Sequence, residues 1–489
     1  MTLLKKKKNV LRVVVLVPAL AVVFVIIKFD LITQLRIGVG WKAQILCSGV
    51  FVSGREAKAV LDEDVAVHPI LKLIGARVDY KNREVRASFL GLITNQSIYH
   101  PELGSILFSG VSEETVRSRQ AGILEPQPVD PESVPWPTGE LIVEEALPPG
   151  VDTALLDKAV EEAFVEPDPR NPRRTRAVLV LDNGRIIAER YAPGITRDMP
   201  LIGWSMTKSL TSALVGILVG QGKLSLRTPA PVPEWQGPDD PRRRITLEQL
   251  LWMSSGLSFS ETYAEKPVSD VQLMLFTCPD TAAYAARLPL EAEPGTEWHY
   301  STGTTNIIGR IMRSAFTDER DYLAFPRREL FNRIGMRSAV LGTDASGTLN
   351  AGAFLFASGR DWARLGLLYL NDGVWEGERI LPEGWVAYST TPAPTSKHGE
   401  YGAQIWLNKG SAGNPAARPF PDLPQDLFYF EGYQGQFVGI VPSRRLVVVR
   451  LGMQTRGEWD AAGFLTDILG AVPESPSAQG LDRATREDP

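Results

Sequence analysis

The spacing of apolar residues changes several times along this chain of 489 residues. In residues 30–110, short β-branched and aromatic stretches alternate with Gly, Asn and charged positions, a pattern typical of strands joined by turns. This region therefore predicts a small β-leaning N-terminal unit. Its strands are expected at residues 50–52, 77–79, 85–90 and 105–108.

Residues 111–150 have a different composition, rich in Pro, Glu and Ser. Proline fixes φ and removes a backbone donor, so a stretch of this kind is extended and does not hold a helix. The sequence therefore predicts a linker between two units.

A larger unit is predicted at residues 151–470. Residues 151–164 carry apolar positions at helical spacing. Residues 176–191 predict a β-hairpin around Asn183-Gly184, because Asn-Gly favours turns that match strand twist. Thr246 and Gln249 have capping-box spacing at a helix start. Residues 436–441 and 445–452 predict two more strands, and residues 459–469 a closing helix.

Strands at both ends of this unit, with helices between them, predict an α/β (α+β) fold. One antiparallel sheet would be built from the two ends of the unit, with helices covering its faces and an all-helical region beside it. The polar tail at residues 471–489 is rich in Pro and Ser, which predicts disorder.

The first 29 residues predict a membrane anchor. Four lysines at residues 5–8 precede an apolar run at residues 13–27, which is short for a span of roughly 20 residues but fits an anchor or signal segment. The cleavage-like spelling Ala19-Leu20-Ala21 lies inside the run, which favours an uncleaved membrane helix. The positive-inside rule then places the C-terminal bulk in the periplasm or outside the cell.

Composition narrows the function classes. The net charge is −5, and the one dense basic run is at residues 5–8, so we expect no nucleic-acid partner. Cys47 and Cys278 could pair in an exported protein, which the sequence leaves open. Two cysteines and four histidines supply no cluster with metal-ligand spacing, so we expect no metal and no cofactor. Nothing indicates an oligomeric state.

The first chemical motif is GWSMTKSL at residues 203–210, which opens a helix predicted to end at Gly222. Ser205 lies at the helix start, and Lys208 lies one turn further on the same face. A desolvated lysine has a lowered pKa and can accept the serine proton, while amides at the helix start can face an oxyanion. Taken alone, Ser-x-x-Lys is weak, because it also describes an N-cap serine beside a solvated lysine.

The second motif is EWHYSTG at residues 297–303, followed by an apolar helix from about residue 305. Tyr300 beside Lys208 could carry protons between nucleophile, leaving group and water. The alternative is a core tyrosine with a satisfied hydroxyl.

The third motif is GYQGQ at residues 432–436, at the start of a predicted strand. Glycines there allow close backbone approach, and the amide of Gln436 could be a second oxyanion donor opposite that of Ser205. The alternative is a plain turn into a strand.

In this order, the three motifs resemble the serine β-lactamase and penicillin-binding superfamily. Within it the chain resembles the class C-like branch that also holds esterases, D-aminopeptidases and 6-aminohexanoate-dimer hydrolase. Supporting segments lie at residues 245–257, 401–408 and 438–452, and the resemblance covers about residues 151–470. It implies a β-lactamase/transpeptidase-like fold in which Ser205 is acylated, Lys208 is the base and Tyr300 is the companion acid/base. It also implies an oxyanion hole formed by the amides of Ser205 and Gln436.

Two departures from the family pattern bear on the substrate. Thr302 stands where Asn is common, which puts a substrate-amide contact in doubt. Tyr433-Gln434-Gly435 stands where β-lactamases and transpeptidases carry Lys-Thr/Ser-Gly, so the cation that meets a substrate carboxylate is missing. Aromatic side chains commonly line such clefts. The residues expected to contact substrate are Thr302, Tyr401, Gln404, Trp406, Tyr433 and Gly435.

We therefore expect a serine hydrolase that acts through an acyl-enzyme on a small ester or amide, with β-lactamase or D,D-peptidase activity less favoured. The alternative from another class is a membrane-anchored sensor or a degenerate member that binds without turnover. An α/β-hydrolase is disfavoured, because the second glycine of Gly-x-Ser-x-Gly is replaced by Thr207 and no histidine has the expected late spacing.

Overall fold

The computed structural model describes residues 30–65, 69–118, 130–143, 146–263, 268–411, 413–454 and 459–473. The predicted anchor at residues 13–27 lies outside these ranges, as does the predicted tail beyond residue 473. Within these ranges, no helix combines the length and the apolar character needed to cross a membrane.

The N-terminal unit is a helix packed on a four-stranded antiparallel sheet with the strand order β1-β2-β3-β4. Its elements are α1 (Leu31–Cys47), α2 (Ala57–Val60), β1 (Gly75–Asp79), β2 (Glu84–Phe89), β3 (Ile93–His100) and β4 (Gly104–Leu107). The strands predicted at residues 77–79, 85–90 and 105–108 are confirmed. The strand predicted at residues 50–52 is wrong, because the helical backbone of α1 continues through Gly49 as a π-helix at Ser48–Val52.

Helix α1 joins this unit to the rest of the protein. Trp41 stacks on Trp204 with ring centroids 5.5 Å apart and packs against Phe276 at 4.8 Å. Apolar side chains of α1 and of the larger unit belong to one continuous buried core. Cys47 is buried and Cys278 is partly buried, and both are free, so the pairing left open by the sequence does not form.

The segment between the units is packed rather than extended over much of its described length. Residues 113–118 form helix α3 (Glu113–Ser118). Glu140 is buried and bridges Arg360 (Nη1–Oε2 2.8 Å) and Arg364 (Nη2–Oε1 2.7 Å). A carboxylate in contact with both offsets the cost of burying these two guanidinium groups. The prediction of an extended linker is therefore wrong for residues 134–140.

The larger unit contains the predicted sheet, with six antiparallel strands in the order β12-β13-β14-β15-β5-β6. Its turn at Asn183 (φ 49°) and Gly184 (φ 83°) has the left-handed backbone expected of a primed hairpin turn. The strands of this unit are β5 (Ala177–Asp182), β6 (Arg185–Tyr191), β7 (Leu201–Ile202), β8 (Val340–Leu341), β9 (Leu355–Ala357), β10 (Val374–Trp375), β11 (Glu378–Arg379), β12 (Trp406–Leu407), β13 (Phe428–Gly432), β14 (Gln436–Val441) and β15 (Leu446–Leu451).

Helices cover both faces of this sheet. Along β5, Val178 and Val180 face the helices at residues 153–162 and 461–471, whereas Leu179 and Leu181 face the main core. That core contains the helix at residues 359–370, so the two faces of the strand alternate as its two-residue period requires. The helices of this unit are α4 (Thr153–Glu162), α5 (Thr207–Gly220), α6 (Leu247–Leu251), α7 (Asp270–Thr277), α8 (Thr281–Ala286), α9 (Thr302–Ser314), α10 (Glu319–Pro326), α11 (Gly359–Leu370), α12 (Trp385–Ser389) and α13 (Ala461–Ala471). The capping box of Thr246 and Gln249 at the start of α6 is confirmed.

The contact between α1 and α7 can be tested at Gly40, where an added Cβ would lie 1.9 Å from the Phe276 carbonyl oxygen. We expect Gly40→Ala to lower the free energy of unfolding by about 1–3 kcal/mol, because this overpacking forces the backbones apart. Gly470→Ala in α13 is the matched control, since its Cβ would meet no atom within 4 Å. Thermal or denaturant unfolding that ranks the two variants equally would contradict the tight α1–α7 contact.

Candidate active site

Ser205 lies in a 3₁₀ turn, Trp204–Met206, that leads directly into α5. Trp204 has a φ of 47°, a left-handed conformation that is costly for a residue with a side chain. Two hydrogen bonds hold it there. Its indole N–H donates to Gln434 Oε1 (3.0 Å), and its carbonyl accepts from the Thr207 hydroxyl (2.6 Å). Ser205 therefore lies in a turn whose strained backbone is held in place by these two hydrogen bonds.

Lys208 is buried and directs its ammonium at three oxygen atoms. Its Nζ donates to Ser205 Oγ (2.9 Å), Thr302 Oγ1 (2.8 Å) and the Gly352 carbonyl (3.0 Å). Burial lowers the pKa of Lys208 to about 8, although the charge of Glu261 opposes this lowering. The structure therefore brings together the predicted Ser205 and Lys208, and it adds Gly352, which the sequence did not indicate.

Tyr300 precedes Ser301, the N-cap of α9, and lies beside the same ammonium. Lys208 Nζ is 4.8 Å from the centre of the Tyr300 ring, and the Ser205 side chain hydrogen-bonds the phenol. Burial and the nearby Glu261 charge raise the pKa of Tyr300, while the Ser205 hydrogen bond acts in the opposite direction. The phenol is therefore neutral at ordinary pH and positioned to donate a proton.

Glu261 is a site residue that the sequence analysis missed. Its carboxylate accepts from the Thr302 backbone N–H (2.8 Å) and from the Thr302 hydroxyl (2.5 Å) at the start of α9, where a helix favours negative charge. Burial raises the pKa of Glu261, while Lys208 and Thr302 lower it. Thr302 thus links the Lys208 ammonium to a carboxylate, and because its side chain is fully buried, the predicted contact with substrate stays a prediction.

The second side of the site is the end of β13. Gly432 lies so close to the Gly203 carbonyl that a Cβ would be 2.2 Å from its oxygen. The Tyr433 ring meets the Trp204 ring edge to face at 5.7 Å. The residues before Ser205 therefore lie alongside the residues that end β13. Among the described residues, neither the Ser205 N–H nor the Tyr433 N–H has a hydrogen-bond partner.

The side chain of Gln436 forms its hydrogen bonds away from Ser205. It starts β14, across from Gly432, and its side chain donates to the Gly452 carbonyl (2.6 Å) and accepts from the Gly452 N–H (3.1 Å). No described hydrogen bond joins Gln436 to Ser205. Gly435 likewise turns its carbonyl to the Arg450 guanidinium (2.7 Å). These contacts fix the Gln436 side chain and the Gly435 carbonyl, and the oxyanion role expected for the Gln436 backbone amide stays a prediction, as does the substrate contact of Gly435.

The remaining predicted contacts divide into two groups. Trp406 stacks on Tyr300 at 5.4 Å and is partly exposed, and Tyr433 is partly exposed and stacks on Tyr263 at 4.5 Å. Tyr401 is 1% exposed and packs behind Tyr300 and Trp406.

Gln404 is also 1% exposed, and its amide is used by Thr305 (2.8 Å) and the Leu251 carbonyl (2.9 Å). The prediction that Gln404 and Tyr401 line the pocket is therefore wrong. Both side chains belong to a buried layer. The sequence could not separate this layer from the exposed side chains, because the difference depends on tertiary contacts.

The fold and this arrangement define a class: an antiparallel sheet built from both ends of one unit, with a serine–lysine–tyrosine cluster between the sheet and a helical region. Residues 159–467 match the family model described as Beta-lactamase, which spans more than half of the chain. The chain belongs to the β-lactamase family.

Relatives with known names support the same placement. The chain is 27% identical over 333 residues to 6-aminohexanoate-dimer hydrolase of Paenarthrobacter ureafaciens, covering 61% of this chain and 79% of the relative. A structure from Bacillus anthracis, also named for 6-aminohexanoate-dimer hydrolase, aligns with a TM-score of 0.54 at 20% identity. The alignment covers 77% of this chain and 96% of that one. EstCE1, a hydrolase with promiscuous acyltransferase activity, aligns with a TM-score of 0.50 at 17% identity, covering 65% and 97%. At such identities the two structures show a shared fold.

Proposed function

We propose that this protein is a serine hydrolase that cleaves esters or amides through an acyl-enzyme on Ser205. The observation that carries the proposal is the buried Lys208 amine, which contacts Ser205 Oγ at 2.9 Å and has a pKa lowered to about 8. A serine hydroxyl is inert by itself and becomes a nucleophile when a base lies within hydrogen-bonding distance. The names of two similar proteins, 6-aminohexanoate-dimer hydrolase and a hydrolase with promiscuous acyltransferase activity, support the same reaction class.

In the proposed acylation, neutral Lys208 accepts the Ser205 proton as Oγ bonds to the substrate carbonyl carbon. The bond from that carbon to the leaving oxygen or nitrogen then breaks, and the leaving group takes a proton from Tyr300, which Lys208 replenishes. In deacylation, water bonds to the carbonyl carbon, its proton passes to the same pair, and Ser205 is released with its proton restored. General acid–base catalysis of this kind requires groups in direct contact, which Ser205, Lys208 and Tyr300 satisfy.

The amides of Ser205 and Tyr433 are proposed as the oxyanion donors. Both N–H groups have no partner among the described residues, and they belong to two segments that lie side by side. Donors held in place before the reaction stabilise the developing charge without reorganisation. This assignment proposes Tyr433, the residue that follows β13, as the second donor, where the sequence analysis expected Gln436.

A membrane-anchored, extracytoplasmic location is proposed on the sequence of residues 1–29. Four lysines followed by fifteen apolar positions favour an N-terminal helix with its basic end in the cytoplasm. In this arrangement the substrate would be a small ester or amide outside the cytoplasm.

Ser205→Ala should abolish labelling by a fluorophosphonate probe, because the probe reacts with an activated serine. Ser118→Ala is the control. It changes an exposed serine that lies well before Ser205 in the sequence, and this variant should label normally. Persistent labelling of the Ser205 variant would refute the assignment of the nucleophile. Labelling of the unaltered protein without hydrolysis of a panel of nitrophenyl esters, nitrocefin and short amide oligomers would instead support the sensor alternative.

Lys208→Ala should lower kcat/KM by roughly 10²–10⁴-fold, the usual range for loss of a general acid–base group. Lys158→Ala, at an exposed position on α4, should leave the rate unchanged. Circular dichroism would verify that both variants fold. A loss of only a few-fold would show that Lys208 does not manage the serine proton.

The pH dependence tests the role of Glu261. Since neutral Lys208 is the proposed base, kcat/KM should rise as pH increases through about 8. The Glu261 charge raises the pKa of Lys208, so Glu261→Gln should lower that pKa and move the rising limb to lower pH. Glu297→Gln changes an exposed carboxylate nearby and should leave the profile in place. An unmoved limb in the Glu261 variant would show that this carboxylate does not act on Lys208.

A further inference from the structure

One end of the N-terminal sheet exposes several large apolar side chains. Leu90 and Leu92, in and beside the β2–β3 turn, are 77% and 84% exposed, and Leu73, just before β1, is 67% exposed. The register places all three at the same end, because Gly75 pairs with Ser88 at that end. Single exposed leucines are ordinary, but a projecting group of them marks an interaction surface.

Helix α1 begins at this same end. Gly38 packs against Ile74, next to the start of β1, whereas Phe51, beyond the end of α1, contacts Tyr80 at the opposite end of the sheet (5.9 Å). The first turns of α1 therefore project past the sheet, by about 9 Å over the six residues from Ile32 to Gly38. The β2–β3 turn projects by about 7 Å beyond Ser88. Ile32, which is 49% exposed, thus lies at the level of the exposed leucines.

The sequence before α1 indicates what covers these side chains. Residues 13–27 are apolar and follow four lysines, and the chain leaves the described structure at Asp30, on this end of the unit. Arg36 in the first turns of α1 and Lys72, next to Leu73, are exposed at this end of the unit, as is Asp30. Cations beside apolar side chains suit the headgroup region of an anionic bilayer.

We propose that Ile32, Leu73, Leu90 and Leu92, the apolar tip, insert into the interfacial layer of the membrane that anchors the chain. This inference rests on the proposed anchor and is independent of the proposed chemistry. Insertion of the tip would fix the orientation of the protein on the bilayer, since one helix anchor alone leaves rotation and tilt free. Trp41 lies nine residues after Ile32, about 14 Å along α1. It stacks on Trp204, the neighbour of Ser205, so the catalytic cluster would be held close to the membrane surface.

The test uses the full chain in vesicles of phosphatidylcholine and phosphatidylglycerol that contain lipids with a nitroxide on the acyl chain. A Cys278→Ser background removes the partly exposed thiol, and Cys47 is buried. A polarity-sensitive fluorophore is attached at Leu92→Cys, and Lys81→Cys at the opposite end of the same sheet is the matched control. We expect several-fold stronger nitroxide quenching and a blue-shifted emission at position 92. Adding Leu90→Glu should weaken both.

Equal quenching at positions 92 and 81 would overturn the proposal. A blue shift at position 92 without lipid quenching would also overturn it, because a second copy of the chain or its own N-terminal segment would then cover the apolar tip. Vesicle flotation of the same samples reports on the anchor separately. Fluorophosphonate labelling of Ser205 reports on the proposed chemistry, so the failures can be distinguished.

Discussion

The active-site arrangement depends on a buried ammonium. Taking the Lys208 amine out of water costs of order several kcal/mol unless polar partners replace its hydration. Three segments supply those partners: the head of α5 through Ser205, the head of α9 through Thr302, and the Gly352 carbonyl. These acceptors use all three N–H bonds of the ammonium, while burial lowers its pKa to about 8. The burial that disfavours the charged form of the Lys208 amine thus makes its neutral form available near neutral pH.

The surrounding structure fixes the nucleophile against this amine. Trp204 adopts a costly backbone conformation, and its ring is held between Trp41 of the N-terminal unit and Tyr433 of the hairpin turn. Strain of this kind persists only where the surroundings over-determine it. The N-terminal unit therefore helps to hold the candidate active site, although its sequence carries no chemical motif. Consistent with this contact, apolar side chains of α1 belong to the main core.

The sequence predicted what depends on local spacing. Ser205 and Lys208 could be found because one helical turn joins them, and the hairpin at Asn183 could be found because its turn residues are specific. The side-chain hydrogen bonds of Gln436 to Gly452 had no local signal, because these two residues meet only through the pairing of β14 with β15. Gln404 resembled a pocket residue, yet its amide braces Thr305 and Leu251. Glu261 had no local signal at all, since its partner Thr302 lies 41 residues later and is brought near by the tertiary fold.

The charges around the site support the proposal that the substrate is a neutral ester or amide rather than one with a carboxylate. At the third motif, the Gln434 amide accepts from Trp204. The nearby Arg450 is fully buried behind the turn, where it donates to the Gln434 and Gly435 carbonyls. This cation stabilises the turn and faces away from the nucleophile. The Lys208 ammonium has already used its three donors, and Glu261 adds negative charge beside it. A substrate carboxylate would therefore lose its hydration without gaining a positive partner, whereas a neutral acyl group has less hydration to lose.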